Sequence, residues 1–313
     1  MGRIISLDII RGVAIAMVIG LHGVVSISGR LENISPLFMC FFNAITPFRM
    51  PVLMLLSGLF LWKSLSKGFY PFVLGKIYHI LYPYIIWSFI MWLIMYIRSR
   101  VMSEEGYSLA YSLMVSPIEH LWFLHSLIIF FAISVIFFIP YKSFFCILIA
   151  LFMEFCSDEY LRFRIDLFVL IIIGGFLGGH IEVLTKLTFK SPVTIVCCGV
   201  FGILCFQKNL PDLFNEIILP LTIFPFLFSF SNIGFIVRVT GYIQWLGRKS
   251  LGFYLSHLPI QMLLVQCLKK LDMSDDCKVI LNILLGFLFS TLFVYICERY
   301  KIINKIFIDP TCK

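Results

Sequence analysis

The chain has 313 residues, 60% of them hydrophobic and 34 of them phenylalanine, with a mean hydropathy of +0.99. Apolar content this high excludes an ordinary water-soluble domain, which would have to expose large apolar patches. The formal net charge of +8 calls for no nucleic acid, because a basic cytoplasmic face is the usual result of membrane topology.

Apolar stretches in chain order predict an all-α polytopic membrane protein with about ten transmembrane helices in one bundle. They cover residues 9–27, 41–62, 77–97, 121–139, 143–155, 167–184, 193–207, 217–237, 251–268 and 279–297. The fifth and seventh are short for a bilayer about 30 Å thick, which predicts tilted or re-entrant segments there. An even number of spans keeps both termini on one side. With a cytoplasmic N-terminus, 14 Lys and Arg fall in cytoplasmic loops and 9 in the opposite loops, Arg11 and Arg49 completing the 25. The positive-inside rule therefore predicts cytoplasmic termini, with loops 30–36, 107–116 and 272–276 outside the cell's inner membrane. The first apolar segment is interrupted by Arg11 and is followed by no small-residue cleavage site, so it is expected to persist rather than to be removed as a signal. No loop is long enough for a soluble domain, and a single integral-membrane domain over 1–313 is expected.

The first span is the most informative. Residues 6–27, SLDIIRGVAIAMVIGLHGVVSI, could cross a bilayer, yet they carry Asp8, Arg11 and His22. A charge near mid-membrane costs at least about 2.5–3.5 kcal/mol, so these groups are expected to face a polar interior. At about 100° per residue, the step from Arg11 to His22 ends about 20° past three full turns, and Asp8 lies about 40° from His22. A polar stripe about 21 Å long thus runs along one helix face. In the second span, TPFRMPVLMLLSG places Arg49 just before Met50 and Pro51. Pro51 is expected to kink the helix and free carbonyls beside the guanidinium. The first two spans run in opposite directions, so Arg49 and His22 are predicted at similar depth in the outer half of the membrane. A histidine there can accept a proton near neutral pH, and an arginine can hold an anionic or carbonyl oxygen.

The fourth span opens at the same outer level with Glu119, His120, Leu121 and Trp122. The ninth span is introduced by Gly247, Arg248, Lys249 and Ser250 and contains Tyr254 and His257. Each has a bland reading: Trp122 and Tyr254 as interfacial aromatics, His257 as a hydrogen-bonded packing residue. The ten cysteines lie mostly within apolar spans without CxxC spacing, so they read as small buried hydrophobes and no metal site is expected. Gly174, Gly175, Gly178 and Gly179 form two interleaved GxxxG spacings, the pattern of close helix packing.

These residues carry a resemblance to a known family. SLDIIRGVAIAMVIGLHG, PFRMPVLMLLSG, HLWFL and LGRKSLGFYLSH follow one another as the four signatures of the acyltransferase 3 family do, and the last is especially similar to the subgroup described as fucose 4-O-acetylase-like. KIYHILYPYIIWS resembles the family's basic-then-PY opening of the third helix. The resemblance implies an integral-membrane O-acyltransferase, most often an O-acetyltransferase. Such an enzyme passes an acyl group from cytoplasmic acyl-CoA, usually acetyl-CoA, to a sugar hydroxyl of a surface polysaccharide or its lipid-linked precursor. It implies His22 as the catalytic histidine, Arg11 and Arg49 as essential arginines and Asp8 as the acid of the first motif, with no permanently bound cofactor. Glu119, His120, Trp122, Tyr254 and His257 are the candidates for substrate binding, and membrane lipids are the expected surroundings. The alternatives are a transporter or flippase for an anionic or sugar-linked lipid, whose path the same polar stripe would line, and a scaffold subunit of a polysaccharide export complex.

Overall fold

The protein is described by a computed structural model over residues 3–28, 35–102, 108–135, 159–186, 188, 190–206 and 217–312. Among these residues every regular element is helical and no strand occurs. Helix α1 (Ile5–Ser28) is followed by α2 (Pro36–Gly58) and the short α3 (Leu61–Leu65). Helix α4 (Phe69–Lys76) continues through a π-helical turn (Ile77–Leu81) into α5 (Tyr82–Met102). Then come α6 (Leu109–Met114), a 3₁₀ turn (Glu119–Leu121), α7 (Trp122–Ile133), α8 (Glu159–Gly179), α9 (Ile181–Thr185), α10 (Pro192–Phe206) and α11 (Leu219–Ser231). The last are α12 (Gly234–Val239), α13 (Gly241–Arg248), α14 (Ser250–Leu268), α15 (Asp275–Arg299) and α16 (Lys301–Phe307).

Among the described residues, six segments are long and apolar enough to cross a membrane: Ile5–Ile27, Phe48–Leu65, Phe69–Arg100, Leu109–Ile133, Ser250–Leu268 and Asp275–Arg299. They correspond to the first four and last two predicted spans. The third begins eight residues earlier than 77, because Tyr70, Pro71 and Lys76 read as loop in the sequence but form the first turns of α4. Proline is tolerated in a first helical turn, where its missing N–H would have no partner, and Gly68 before it takes a left-handed φ of 97° that ends the preceding segment. The sixth, seventh and eighth predicted spans fall on α8, which starts earlier at Glu159 and has 21 residues, on α10 with 15 residues and on α11 with 13. The sixth stops at Gly179 because His180 leaves helical geometry. The fifth, 143–155, lies outside the described residues.

The chain forms two compact units, each assembled from separate stretches. The first comprises Met1–Val18, Pro36–Lys67 and Pro140–Ser250. Its organising contact is between α2 and α8, whose backbones touch. A Cβ at Gly174 would come within 2.3 Å of the Leu55 carbonyl oxygen, one at Gly178 within 1.8 Å of that of Leu59, and one at Gly58 within 2.1 Å of that of Ile171. The GxxxG pair 174/178 therefore packs helix against helix as read from the sequence, whereas Gly179 faces open space.

The second unit comprises Ile19–Ser35, Gly68–Ile139 and Leu251–Lys313. In α15 the Ser274 hydroxyl caps the first turn by accepting from the Cys277 N–H, and Asp275 and Asp276 sit where the helix dipole favours negative charge. This helix buries Val279, Asn282, Gly286, Ser290, Val294 and Cys297 along one face and exposes Leu284, Leu288, Leu292 and Tyr295 along another. Both faces are largely apolar, as a helix lying between protein and lipid requires. The C-terminal α16 is fastened to α5. The Trp87 indole N–H donates to the Phe307 carbonyl at 2.7 Å, and the Tyr82 hydroxyl lies 3.0 and 3.2 Å from the carbonyl oxygens of Lys305 and Ile306. These donors satisfy carbonyls at the end of α16 that have no intrahelical partner.

Candidate active site

In the first unit, the start of α1 is held in two ways. Arg3 donates through Nε to the Asp8 carboxylate at 2.6 Å, with Asp8 buried and Arg3 exposed. This hydrogen bond raises the Arg3 guanidinium above its ordinary value. Helix α13 also packs directly onto the same turn. A Cβ at Gly247 would fall 1.9 Å from the Asp8 carbonyl oxygen, and one at Gly12 would fall 2.1 Å from the Ile243 carbonyl oxygen. The Arg-Gly pair of the first motif and the Leu-Gly-Arg of the fourth thus have one shared physical basis, two backbones in contact. Arg11, between Asp8 and Gly12, is half-buried.

Arg49 is half-buried on α2, which stays helical on both sides of Pro51. Two turns on, the Ser57 hydroxyl donates to the Leu53 carbonyl at 2.7 Å. That is a back-bond within the helix, so this serine serves its own backbone.

The second unit gathers four of the sequence candidates into one cluster. His22, from the second part of α1, has its ring centroid 5.2 Å from that of His257 on α14. The His257 ring lies 5.1 Å from that of His120, edge-on, and 6.0 Å from that of Tyr254. The His120 and Tyr254 rings lie 5.2 Å apart at a tilt of 55°, and Phe123 closes the group 5.4 Å from Tyr254. His120, Tyr254 and His257 are buried and His22 is half-buried.

Two hydrogen bonds define this cluster. The Tyr254 hydroxyl donates to the His120 backbone carbonyl, tying the 3₁₀ turn to α14. His257 Nδ1 lies 3.1 Å from the Phe253 carbonyl oxygen. A carbonyl can only accept, so the hydrogen of the neutral ring is on Nδ1 and Nε2 carries the lone pair. That Nε2 is buried without a hydrogen-bond partner, and neither ring nitrogen of His120 meets hydrogen-bond geometry. The cluster therefore holds the His257 Nε2 lone pair without a hydrogen-bond partner.

The neighbouring candidates are arranged differently. Glu119 is exposed and has a φ of 49°, in the left-handed region that a residue with a side chain seldom adopts. This turn sends Glu119 outward and His120 inward. Trp122 is half-buried, its ring 6.3 Å from Phe123. No three His, Cys, Asp or Glu side chains are arranged to hold a metal ion among the described residues.

A family model described as an acyltransferase domain, Acyl_transf_3, matches residues 4–299. The chain belongs to the acyltransferase 3 family. No curated protein and no solved structure matches it. As a member with several membrane-length helices, it is a membrane acyltransferase, and the match runs through both units.

Two residues of this acyltransferase were not singled out by the sequence reading. Gln261 and Asn282 are fully buried in α14 and α15, and both donate to the backbone of α1. The signal was present as an isolated amide within each apolar span, where a polar side chain is costly unless paired.

Proposed function

We propose that this acyltransferase moves an acetyl group from cytoplasmic acetyl-CoA to a sugar hydroxyl of a surface polysaccharide or its lipid-linked precursor, as its likeness to the fucose 4-O-acetylase-like subgroup implies. The observation that carries the reading is the histidine cluster. His22 sits beside a second imidazole whose lone pair is fixed by the Phe253 carbonyl. In this reading His22 takes the proton of the sugar hydroxyl while the oxygen attacks the thioester carbon. The C–S bond then breaks and the proton passes to the departing thiolate of coenzyme A. The same residue could instead carry the acetyl group as an acyl-imidazole before the hydroxyl attacks.

His120 and Tyr254 shape the acceptor side of this cluster, with Glu119 and Trp122 at its margin. For the residues of the other unit the roles rest on the sequence argument: Arg49 holds the tetrahedral oxyanion, and Asp8 and Arg11 organise the donor end. The location is the inner membrane with both termini cytoplasmic, in keeping with the basic-residue asymmetry. The transporter and scaffold readings gain no support from the family match.

The test is to delete the gene and measure O-acetyl groups on the surface glycan, alongside transfer from labelled acetyl-CoA in membrane vesicles. Loss of one O-acetyl group, restored by the wild-type chain and not by His22→Ala, is the expected result. An unchanged glycan with no labelled transfer would overturn the reading.

A further inference from the structure

The bonds that Gln261 and Asn282 make have a common target. Gln261 Nε2 donates to the Ile19 carbonyl at 2.9 Å, and Asn282 Nδ2 donates to the Gly23 carbonyl at 3.0 Å. Because carbonyl oxygens only accept, these contacts also fix which way each amide faces. Ile19 and Gly23 are one helical turn apart, and His22 lies within that turn. Each of the two carbonyls already closes the helix by accepting from the residue four positions on, so the amides add a second, external bond.

The packing around these bonds is built to admit them. A Cβ at Gly286 would lie 2.7 Å from Gln261 Nε2 and 2.9 Å from its Cγ, so Gly286 makes the room in which the amide reaches α1. A Cβ at Gly23 would lie 2.5 Å from Ile283 Cγ1, so the backbone of α1 approaches α15 closely beside Asn282. Gln261 Oε1 and Asn282 Oδ1 remain buried without partners. Two buried amides whose oxygens find no donor are an expensive way to pack helices that leucine would pack as well.

We infer that Gln261 and Asn282 are positioning residues that lock the rotation and height of α1 so that the His22 ring is held against His257. This rests on the reading of His22 as the base. The geometry sets the scale. A histidine ring stands about 6 Å from its helix axis, so a rotation of about 20° moves it by about 2 Å. A misplacement of about 1 Å at a reacting group can lower the rate about a hundredfold. One amide alone permits pivoting about its carbonyl, whereas two carbonyls a turn apart stop both rotation and sliding.

The experiment uses the full chain in membrane vesicles with labelled acetyl-CoA and the native glycan acceptor. The variants are Gln261→Met, which keeps length and removes the donor, Asn282→Leu, and Gly286→Ala, which leaves both amides but displaces that of Gln261. Each is expected to accumulate and unfold near the wild-type temperature, to keep the KM for acetyl-CoA, and to lose about tenfold to a hundredfold in kcat. Wild-type kcat in Gln261→Met and Asn282→Leu overturns the inference. So does activity that falls only in proportion to the folded fraction in all three variants, because that marks packing alone. His22→Ala is run beside them: if it retains activity, the assignment of His22 fails, which is a separate outcome from failure of the clamp.

Discussion

Gly247→Ala tests whether contact between α13 and the first turn of α1 matters for both stability and catalysis. The added Cβ would stand 1.9 Å from the Asp8 carbonyl oxygen and 2.9 Å from the Gly12 nitrogen, both backbone atoms that no rotamer can move aside. Non-bonded atoms sit best at about 3.5 Å, so the two backbones must part by about 1–1.5 Å. Overpacking of this kind costs about 1–3 kcal/mol, which for a chain of this size lowers the unfolding temperature by about 3–10 °C. The displaced turn carries Arg11, so acetyl transfer is expected to fall about a hundredfold, beyond what lost folding explains. Gly241→Ala on the same helix is the matched control, since nothing lies within 4 Å of a Cβ there. It is expected to be neutral or to stabilise by up to about 1 kcal/mol. The assays are thermal unfolding of the purified protein and transfer from labelled acetyl-CoA in vesicles. Wild-type behaviour of Gly247→Ala, or equal damage from Gly241→Ala, would refute the reasoning.

His22→Gln keeps size and hydrogen bonding but accepts no proton near neutral pH, so acetyl transfer should drop by about two to four orders of magnitude with normal accumulation; substantial acetylation by this variant would remove His22 from the chemistry. Arg49→Lys should lose most activity while accumulating normally, because an ammonium cannot reproduce the planar fork that grips two oxygens, and full activity would reduce its role to positive charge. Arg11→Ala removes a half-buried charge, so it should leave the protein at least as stable while abolishing glycan modification, read by unfolding temperature and O-acetyl content together. Asp275→Cys, in a chain whose native cysteines are replaced, should react with a membrane-impermeant thiol reagent from outside the cell, and labelling only after permeabilisation would overturn the even-span topology.

The long apolar helices were legible because hydropathy over about 20 residues is a property of sequence alone. Their ends were less legible, because a helix ends where local geometry fails, as at His180 after Gly179, and an apolar run does not record that point. His22 and His120 were read at one outer membrane level and Tyr254 and His257 only as members of the ninth span; the ring contacts bring all four together. Asp8 was grouped with Arg11 by helical angle, yet its carboxylate bonds to Arg3, a residue read only as a loop charge. Helical periodicity says nothing about a side chain reaching back from before the helix begins. Gln261 and Asn282 were passed over because a single amide in a span barely changes its hydropathy, although its burial is what makes it costly.

The fastening of α16 sets an upper limit on how much of this chain can be removed. Similarity to the family stops at residue 299, before α16 begins, so homology alone would mark everything beyond as dispensable. Cutting there would strip the acceptors from the Tyr82 hydroxyl and from the buried Trp87 indole, at about 1–3 kcal/mol for the indole donor if left dry, and would uncover the aromatic faces that Phe307 now meets on Trp87 and Phe293. The unit of inheritance and the unit of folding therefore end at different residues. A reporter joined after Cys312 respects the second boundary, whereas one joined at Arg299 severs it.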